Sequence, residues 1–392
     1  MSTNNANKNK NRYTSSRLSH ILESLPYAFK SIFSKRDKKL IVFCAMHCET
    51  FDSNSKFLFL YFLENHKEYT VKFVINDDDL RAKLIQKYGN HFIDTRTKEG
   101  KNIAVKAGVW VVSWLDLPLG GLFLKFRRLV VHLGHGTPLK GLGILEKDGK
   151  LIKKLYYKLN NTNITYSLAS SDFLQTIISK CMGLPKSKIL VQGQPRTDAL
   201  FNVKENIPEI TDEYINVIYA PTWRQHSQVK LFPFSDFNSE ELGDFLEKNK
   251  IRIFVRFHPA YEESIPEEIL KIKNISLFSA KKYLEVMDYI NNFDALITDY
   301  SSIYLDYMLL ERPLIFRPYD LEEYENSVGF TMDYNQNTPG EKPITQREFI
   351  DILTKIKNNP EYQKTEIQEL NKKLNNPNKN ACKSMAEFII NY

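Results

Sequence analysis

The chain has 392 residues, enough for two domains with separate cores. Its 42% hydrophobic and 26% charged residues are those of an ordinary globular protein. The net charge of +7 is unevenly spread: residues 1–39 hold nine Lys or Arg against two Asp or Glu, so the remainder is neutral and no nucleic-acid partner is expected.

The arm opens on the polar tract "MSTNNANKNKNR", which reads as disordered. "LSHILESLPYAFKSIFSKRDKK" follows, with apolar positions at helical spacing, Pro26 as an interruption and a basic end. Such a segment suits anionic lipid headgroups, or lies as a solvated helix on the protein's own surface. The first apolar residues come too late for a secretory signal.

Val- and Ile-rich runs then alternate with amphipathic stretches. Strands are predicted over residues 40–47, 70–76, 107–113, 128–133 and 164–170, and again over 215–220, 251–257, 275–278, 295–298 and 313–316. Alternation of this kind predicts an α/β fold, two doubly wound parallel sheets covered on both faces. "AGVWVVSWLDLPLGGLFL" (107–124) is interrupted by Asp116, Pro118 and two glycines, so two short buried elements around a turn are expected rather than a membrane span. The polar stretch 201–214 reads as the linker, and three helices are expected after residue 345. The expected division is 1–39 arm, 40–203 first domain, 204–375 second domain and 376–392 a terminal helix. The four cysteines have no zinc spacing and read as reduced structural thiols.

Ligands of open parallel sheets bind beyond the carboxyl ends of the strands. Four predicted strands end in polar clusters: "GHGTPLK" after 133, "PTWR" after 220, "HP" after 257 and "DYSS" after 298. Arg224 and Arg256 suit phosphate charge. Ser301 and Ser302 suit an anion at a helix N-terminus, or a plain N-cap. Thr222 either shares that role or caps a turn. His135, between Gly134 and Gly136, offers an imidazole that a ligand can approach closely, and a neutral ring there can take a proton from a hydroxyl. His258 ends a strand of the second half. His132, inside a strand, reads as structural. "NDDDL" (76–80) carries the Asp-x-Asp spacing (Asp77, Asp79) of a metal–nucleotide site, but also leads straight into a helical pattern whose start favours acids.

Together "HGTPLK" (135–140), "GQPRTD" (193–198), "YAPTWR" (219–224), "RFHP" (256–259) and "ITDYSSIYLDYMLLERPLIF" (297–316) resemble, in order, the motifs of the CDP-glycerol glycerophosphotransferase family of bacterial surface-polymer synthesis. The resemblance implies a GT-B architecture of two Rossmann-like domains facing a cleft, with the terminal helix crossing back to the first. It implies attack of an acceptor hydroxyl on the β-phosphorus of CDP-glycerol with release of CMP, the acceptor being a lipid-linked (polyprenyl-diphosphate) saccharide or a polyol-phosphate chain in teichoic acid or capsule synthesis.

On this reading His135 is the general base. His258, Thr222, Arg224, Arg256, Ser301 and Ser302 hold the diphosphate and the leaving CMP. Asp299 either orients His258 or binds a donor hydroxyl, and Gly136, Thr137, Lys140 and Arg196 meet the acceptor or its phosphate. No cofactor is required, added Mg²⁺ being compatible, and the enzyme would sit peripherally at the cytoplasmic membrane face through residues 1–39. A ribitol donor, a nucleotide-sugar glycosyltransferase and a non-catalytic binding protein are the alternatives. One departure stands out: Gly134 occupies the position where the family pattern has tryptophan.

Overall fold

A computed structural model describes residues 23–147, 151–201, 206–224, 228–257, 259–376 and 379–392. The chain divides into two compact units. The first contains residues up to Thr137, Leu142–Asp198 and the C-terminal Asn378–Tyr392; the second contains Pro138–Gly141 and Ala199–Pro377. The division therefore falls near residue 198 rather than 203. The short stretch Pro138–Gly141, expected in the first domain, clusters with the second unit.

The first unit is built on seven parallel strands: β1 (Asp37–Cys44), β2 (Thr70–Val74), β3 (Phe92–Ile93), β4 (Ala107–Val112), β5 (Leu129–His132), β6 (Tyr166–Ala169) and β7 (Ile189–Val191). They lie in the order β3-β2-β1-β4-β5-β6-β7. Alternate side chains of β1, β4 and β5 serve two cores. Ile41, Phe43, Val109, Val111, Leu129 and Val131 pack toward the helix Ser53–Asn65 and the C-terminal helix Ala381–Asn391. Leu40, Val42, Cys44, Trp110, Val112 and Val130 pack on the other face, with Ala28 of the helix at residues 23–33. Burial on both faces is why these strands read as unbroken apolar runs rather than as an alternation.

The second unit has five parallel strands: β8 (Ile215–Tyr219), β9 (Ile251–Val255), β10 (Ile275–Leu277), β11 (Ala295–Thr298) and β12 (Leu314–Phe316). Their order is β10-β9-β8-β11-β12, so both sheets reverse direction beside their first strand. Helix Gln346–Asn358 covers one face through Phe349, Ile352, Leu353 and Ile356, and begins on a capping box between Thr345 and Glu348.

Three expectations need correction. Two strands were missed, β3 and β7, each of only two or three residues and therefore too short for a pattern. Residues 23–33 are helical with Pro26 inside the described span, so this proline does not end the helix. After β4, residues 115–128 bury Leu117, Leu119 and Leu124 but form no helix or strand, and Leu122 and Phe123 are exposed. No helix among the described residues is long and apolar enough to cross a membrane.

The C-terminal helix is tied to the first unit by a half-buried carboxylate. Asp198, the last residue of "GQPRTD", accepts from the backbone N–H groups of Ala381 and Cys382, each at 2.8 Å. Anions at a helix N-terminus are favoured by its unpaired amides. Asp198→Ala is expected to lower stability by about 1–2 kcal/mol, the usual cost of a lost cap, read as a lower denaturation midpoint with an unchanged slope.

Candidate functional site

In the first unit the strand order reverses between β1 and β4, which places ligand chemistry at their carboxyl ends. His47 follows β1, Trp114 and Asp116 follow β4, and His135 follows β5. The His47 backbone N–H donates to Asp116 Oδ2 at 3.1 Å, and its Nδ1 lies 3.4 Å from the same oxygen. The His135 ring lies flat on the Trp114 indole, with centroids 3.6 Å apart and planes 7° apart. Stacking fixes the imidazole plane while leaving its nitrogens at the ring edge, where proton transfer takes place.

The backbone around His135 is equally constrained. Gly134 and Gly136 have φ of +72° and +131°, values that side chains disfavour. A Cβ on Gly136 would come 2.5 Å from Arg196 Nη2. That closeness lets Arg196 Nη1 donate to the His135 carbonyl at 2.7 Å. Asn54 Nδ2 donates to the Gly134 carbonyl at 2.8 Å, and Asn54 Oδ1 accepts the Arg196 N–H at 2.9 Å. Thr137 is 4% exposed, with Oγ1 accepting from Gln194 Nε2 at 3.2 Å. Gly136, Thr137 and Arg196, expected at the acceptor, lie in the frame around His135. His132 is a core residue on Ser167 (2.9 Å), and burial pushes its imidazole down to about 4.

In the second unit the reversal lies between β8 and β11. Asp299 follows β11 and is 2% exposed. Its Oδ1 accepts from the N–H groups of Thr222 at 2.7 Å and Tyr300 at 2.6 Å, and its Oδ2 from Arg224 Nη2 at 2.8 Å. Arg224 also donates from Nε to Asp320 Oδ2 at 2.7 Å and from Nη2 to Asp320 Oδ1 at 2.9 Å. Burial opposes its charge, but the bonds to Asp320 and the charge of Asp299 outweigh burial and hold the guanidinium above its ordinary value. Asp299 and Arg224 thus tie the β8 and β11 loops together.

Two donors without partners follow the neighbouring strands β8 and β9. Thr222 Oγ1 and Arg256 Nη1 are buried with no hydrogen-bond partner among the described residues. Arg256 Nη2 reaches only the Leu284 carbonyl at 3.3 Å, and burial lowers the guanidinium to about 10. Lys140 joins this unit through its backbone: it pairs antiparallel with Phe330, flanked by Gly141 N–H to Gly329 O (3.1 Å) and Thr331 N–H to Leu139 O (2.9 Å). Burial lowers its ammonium to about 8, against the pull of Asp299. Lys140 therefore lies with the second unit rather than the first.

Ser302 begins the helix Ile303–Tyr307 without capping it, and the Ser301 hydroxyl meets the Ile303 N–H only at 3.5 Å. A five-residue helix has little dipole, so these serines offer hydroxyls rather than the helix N-terminus anticipated from sequence. His258 lies outside the described residues. Asp77 caps the helix Asp78–Tyr88 by accepting the Leu80 N–H at 2.7 Å, which accounts for the Asp-x-Asp spacing without a metal. Among the described residues no three His, Cys, Asp or Glu side chains gather as metal ligands.

Trp114, Asn54, Gln194 and Asp320 were not singled out from sequence. Trp114 was open to the same strand-end argument that found His135, but "SWLD" was absorbed into a segment read as buried. It also supplies an aromatic ring beside His135, in a chain whose Gly134 replaces the tryptophan of the family pattern.

The two arginines should respond oppositely to neutralisation. Arg224→Met strands two buried carboxylates and is expected to destabilise the protein by about 3–5 kcal/mol. Arg256→Met removes a partly buried cation that makes no ion pair among the described residues and is expected to leave the melting temperature equal or higher. Thermal melts of both variants check this.

A family model described as CDP-Glycerol:Poly(glycerophosphate) glycerophosphotransferase matches residues 27–390. A teichoic acid glycerol-phosphate transferase of Staphylococcus aureus is 26% identical over 360 residues, covering 86% of this chain and 88% of that one. A teichoic acid poly(glycerol phosphate) polymerase of Bacillus subtilis is 26% identical over 366 residues, but the match spans only 46% of its length. Solved structures of the wall teichoic acid polymerase TagF superpose with a TM-score of 0.77 at 19% identity over 99% of this chain and 97% of theirs, which shows the shared GT-B-like fold. The match to the family model spans nearly the whole chain, and the chain belongs to the CDP-glycerol:poly(glycerophosphate) glycerophosphotransferase family.

Proposed function

We propose that this enzyme transfers glycerol phosphate from CDP-glycerol to a hydroxyl of a lipid-linked saccharide or polyol-phosphate acceptor in teichoic acid synthesis. The observation that carries the reading is the pair of buried unpartnered donors, Thr222 Oγ1 and Arg256 Nη1, at the carboxyl ends of the adjacent strands β8 and β9. Buried donors without acceptors are costly, so such a pair in a family of diphosphate substrates argues for an anionic ligand.

The acceptor oxygen forms a bond to the β-phosphorus, and the bond from that phosphorus to the bridging oxygen breaks. CMP leaves with the bridging oxygen, and the hydroxyl proton passes to His135. The Trp114 stack and the Arg196 contact to its carbonyl hold the imidazole in one orientation. Thr222, Arg256 and Lys140, with the Ser301 and Ser302 hydroxyls, offset charge on the diphosphate, where positioning and electrostatics carry most of the catalysis. These roles need neither a resident metal nor an organic cofactor. We place the enzyme peripherally at the cytoplasmic membrane face, where a lipid-linked acceptor resides, with the basic residues 1–39 toward anionic headgroups.

Purified enzyme incubated with CDP-glycerol and a lipid-linked acceptor should release CMP, with CDP-ribitol and added Mg²⁺ as separate arms. His135→Ala should lower the rate by roughly 10²- to 10⁴-fold; wild-type turnover by this variant would remove the base assignment. Lys140 is cationic below its value of about 8. Accordingly kcat/KM for CDP-glycerol should fall as pH rises through that value, and Lys140→Arg should move the fall to higher pH. A profile identical in both proteins would exclude Lys140 from donor binding.

A further inference from the structure

Arg256 follows β9, and its guanidinium is enclosed by the loop that begins where β10 ends. The guanidinium carbon lies 5.1 Å from the centre of the Phe278 ring, within reach of a cation–π contact. At the loop's far end the Leu284 carbonyl accepts from Arg256 Nη2 at 3.3 Å. Residues 278–284 thus touch the guanidinium at both of their ends. A loop fixes a side chain only as firmly as its own backbone is held, so whatever holds 278–284 sets the aim of Arg256.

The start of the loop is paired to the sheet, the Phe278 N–H donating to the Val255 carbonyl at 2.9 Å. Its turn closes through the Tyr283 N–H to the Ser279 carbonyl at 2.9 Å, and the Phe278 and Tyr283 rings stack with centroids 4.4 Å apart. The rest depends on one carboxylate. Glu262, 8% exposed, lies in the short helical turn Pro259–Ser264. Its Oε2 accepts from Ser279 Oγ at 3.0 Å, and its Oε1 from the N–H groups of Ala280 and, at 3.2 Å, Lys281. Ser279 Oγ in turn accepts from the N–H groups of Lys281 at 3.2 Å and Lys282 at 3.3 Å. The connections close a ring. It runs from Arg256 along the chain to Glu262, across to Ser279–Lys281, and along the loop to the carbonyl that meets Arg256 again.

Charge argues the same way. An amide oxygen could accept these bonds at a lower desolvation cost than a carboxylate. The carboxylate has a use beside Arg256, because burial lowers that guanidinium and the charges of Glu285 and Glu262 act against burial. We propose that Glu262 is a positioning residue of the donor site, holding the 278–284 loop so that Arg256 Nη1, without a partner among the described residues, is kept for the diphosphate of CDP-glycerol. Glu262 acts through Arg256 and not on the substrate. The inference rests on the donor role proposed above for Arg256 and names the group that sets it up.

The test is a double-mutant cycle on the full chain, read as the dissociation constant of CDP-glycerol by titration calorimetry. Arg256→Met should weaken binding by about tenfold or more, the usual effect of losing a charged hydrogen bond. Glu262→Gln keeps an acceptor oxygen but removes the charge. It should weaken binding by about three- to tenfold alone, and by less than about twofold in the Arg256→Met background. Ser279→Ala removes one donor to Glu262 and leaves the carboxylate in place; it should weaken binding by about twofold or more only while Arg256 is present. Melting temperatures register any loss of fold, and Ser279→Ala carries the cycle if Glu262→Gln does not fold. A purely structural glutamate would lower affinity equally in both backgrounds. That result, or unchanged affinity in the Glu262→Gln protein, overturns the inference. Binding unchanged by Arg256→Met would instead remove Arg256 from the donor site, a failure of the donor reading that takes the inference with it.

Discussion

The guanidinium of Arg224 sits between two carboxylates at the carboxyl edge of the second sheet, and the loops there take their shape from it. One carboxylate, Asp299, simultaneously fixes the first amide after "AP" and the first amide of "YSS". Tyr300 donates its hydroxyl to the other, Asp320, at 2.9 Å, and lies face-on to Arg224 with 4.7 Å between the guanidinium carbon and the ring centre. Removing either charge would leave its partners buried and uncompensated, so the cluster is stable only when complete. Thr222, whose backbone N–H the cluster fixes, keeps its hydroxyl without a partner among the described residues.

The first unit solves a different problem, the presentation of one imidazole. Two glycines with positive φ bring the Arg196 guanidinium against the backbone, and a side chain on Gly136 would displace it. Asn54 links that arrangement to the helix Ser53–Asn65, whose other face belongs to the core. The polar loop is therefore set by the same packing that builds the sheet. Trp114 completes it from the neighbouring strand end.

Much of this was legible in the sequence because parallel strands buried on both faces leave polar chemistry at their ends. Among the described residues ten of the twelve strands follow from Val- and Ile-rich runs, and the other two are two- and three-residue strands at the outer positions beside β2 and β6. The positions of His135, Arg224, Arg256 and Asp299 at strand ends were visible for the same reason. The carboxylate partners of Arg224 were not, since residue type does not reveal whether an arginine faces a ligand or two carboxylates. Asp320 lies in "RPYD", far from Arg224 in sequence, and only the fold brings them together. The outward leucines of Leu151–Asn161 were likewise hidden, because helical spacing looks the same whether the stripe faces core or solvent.

The central claim is that phosphorus, not carbon, is attacked. CDP-glycerol labelled at the β-phosphorus and incubated with a lipid-linked acceptor tests it in one measurement. The account predicts that the label moves into the acceptor and that the released nucleotide is unlabelled CMP. Label retained on a released CDP would contradict it, because the oxygen–carbon bond of the donor would then be the one that breaks.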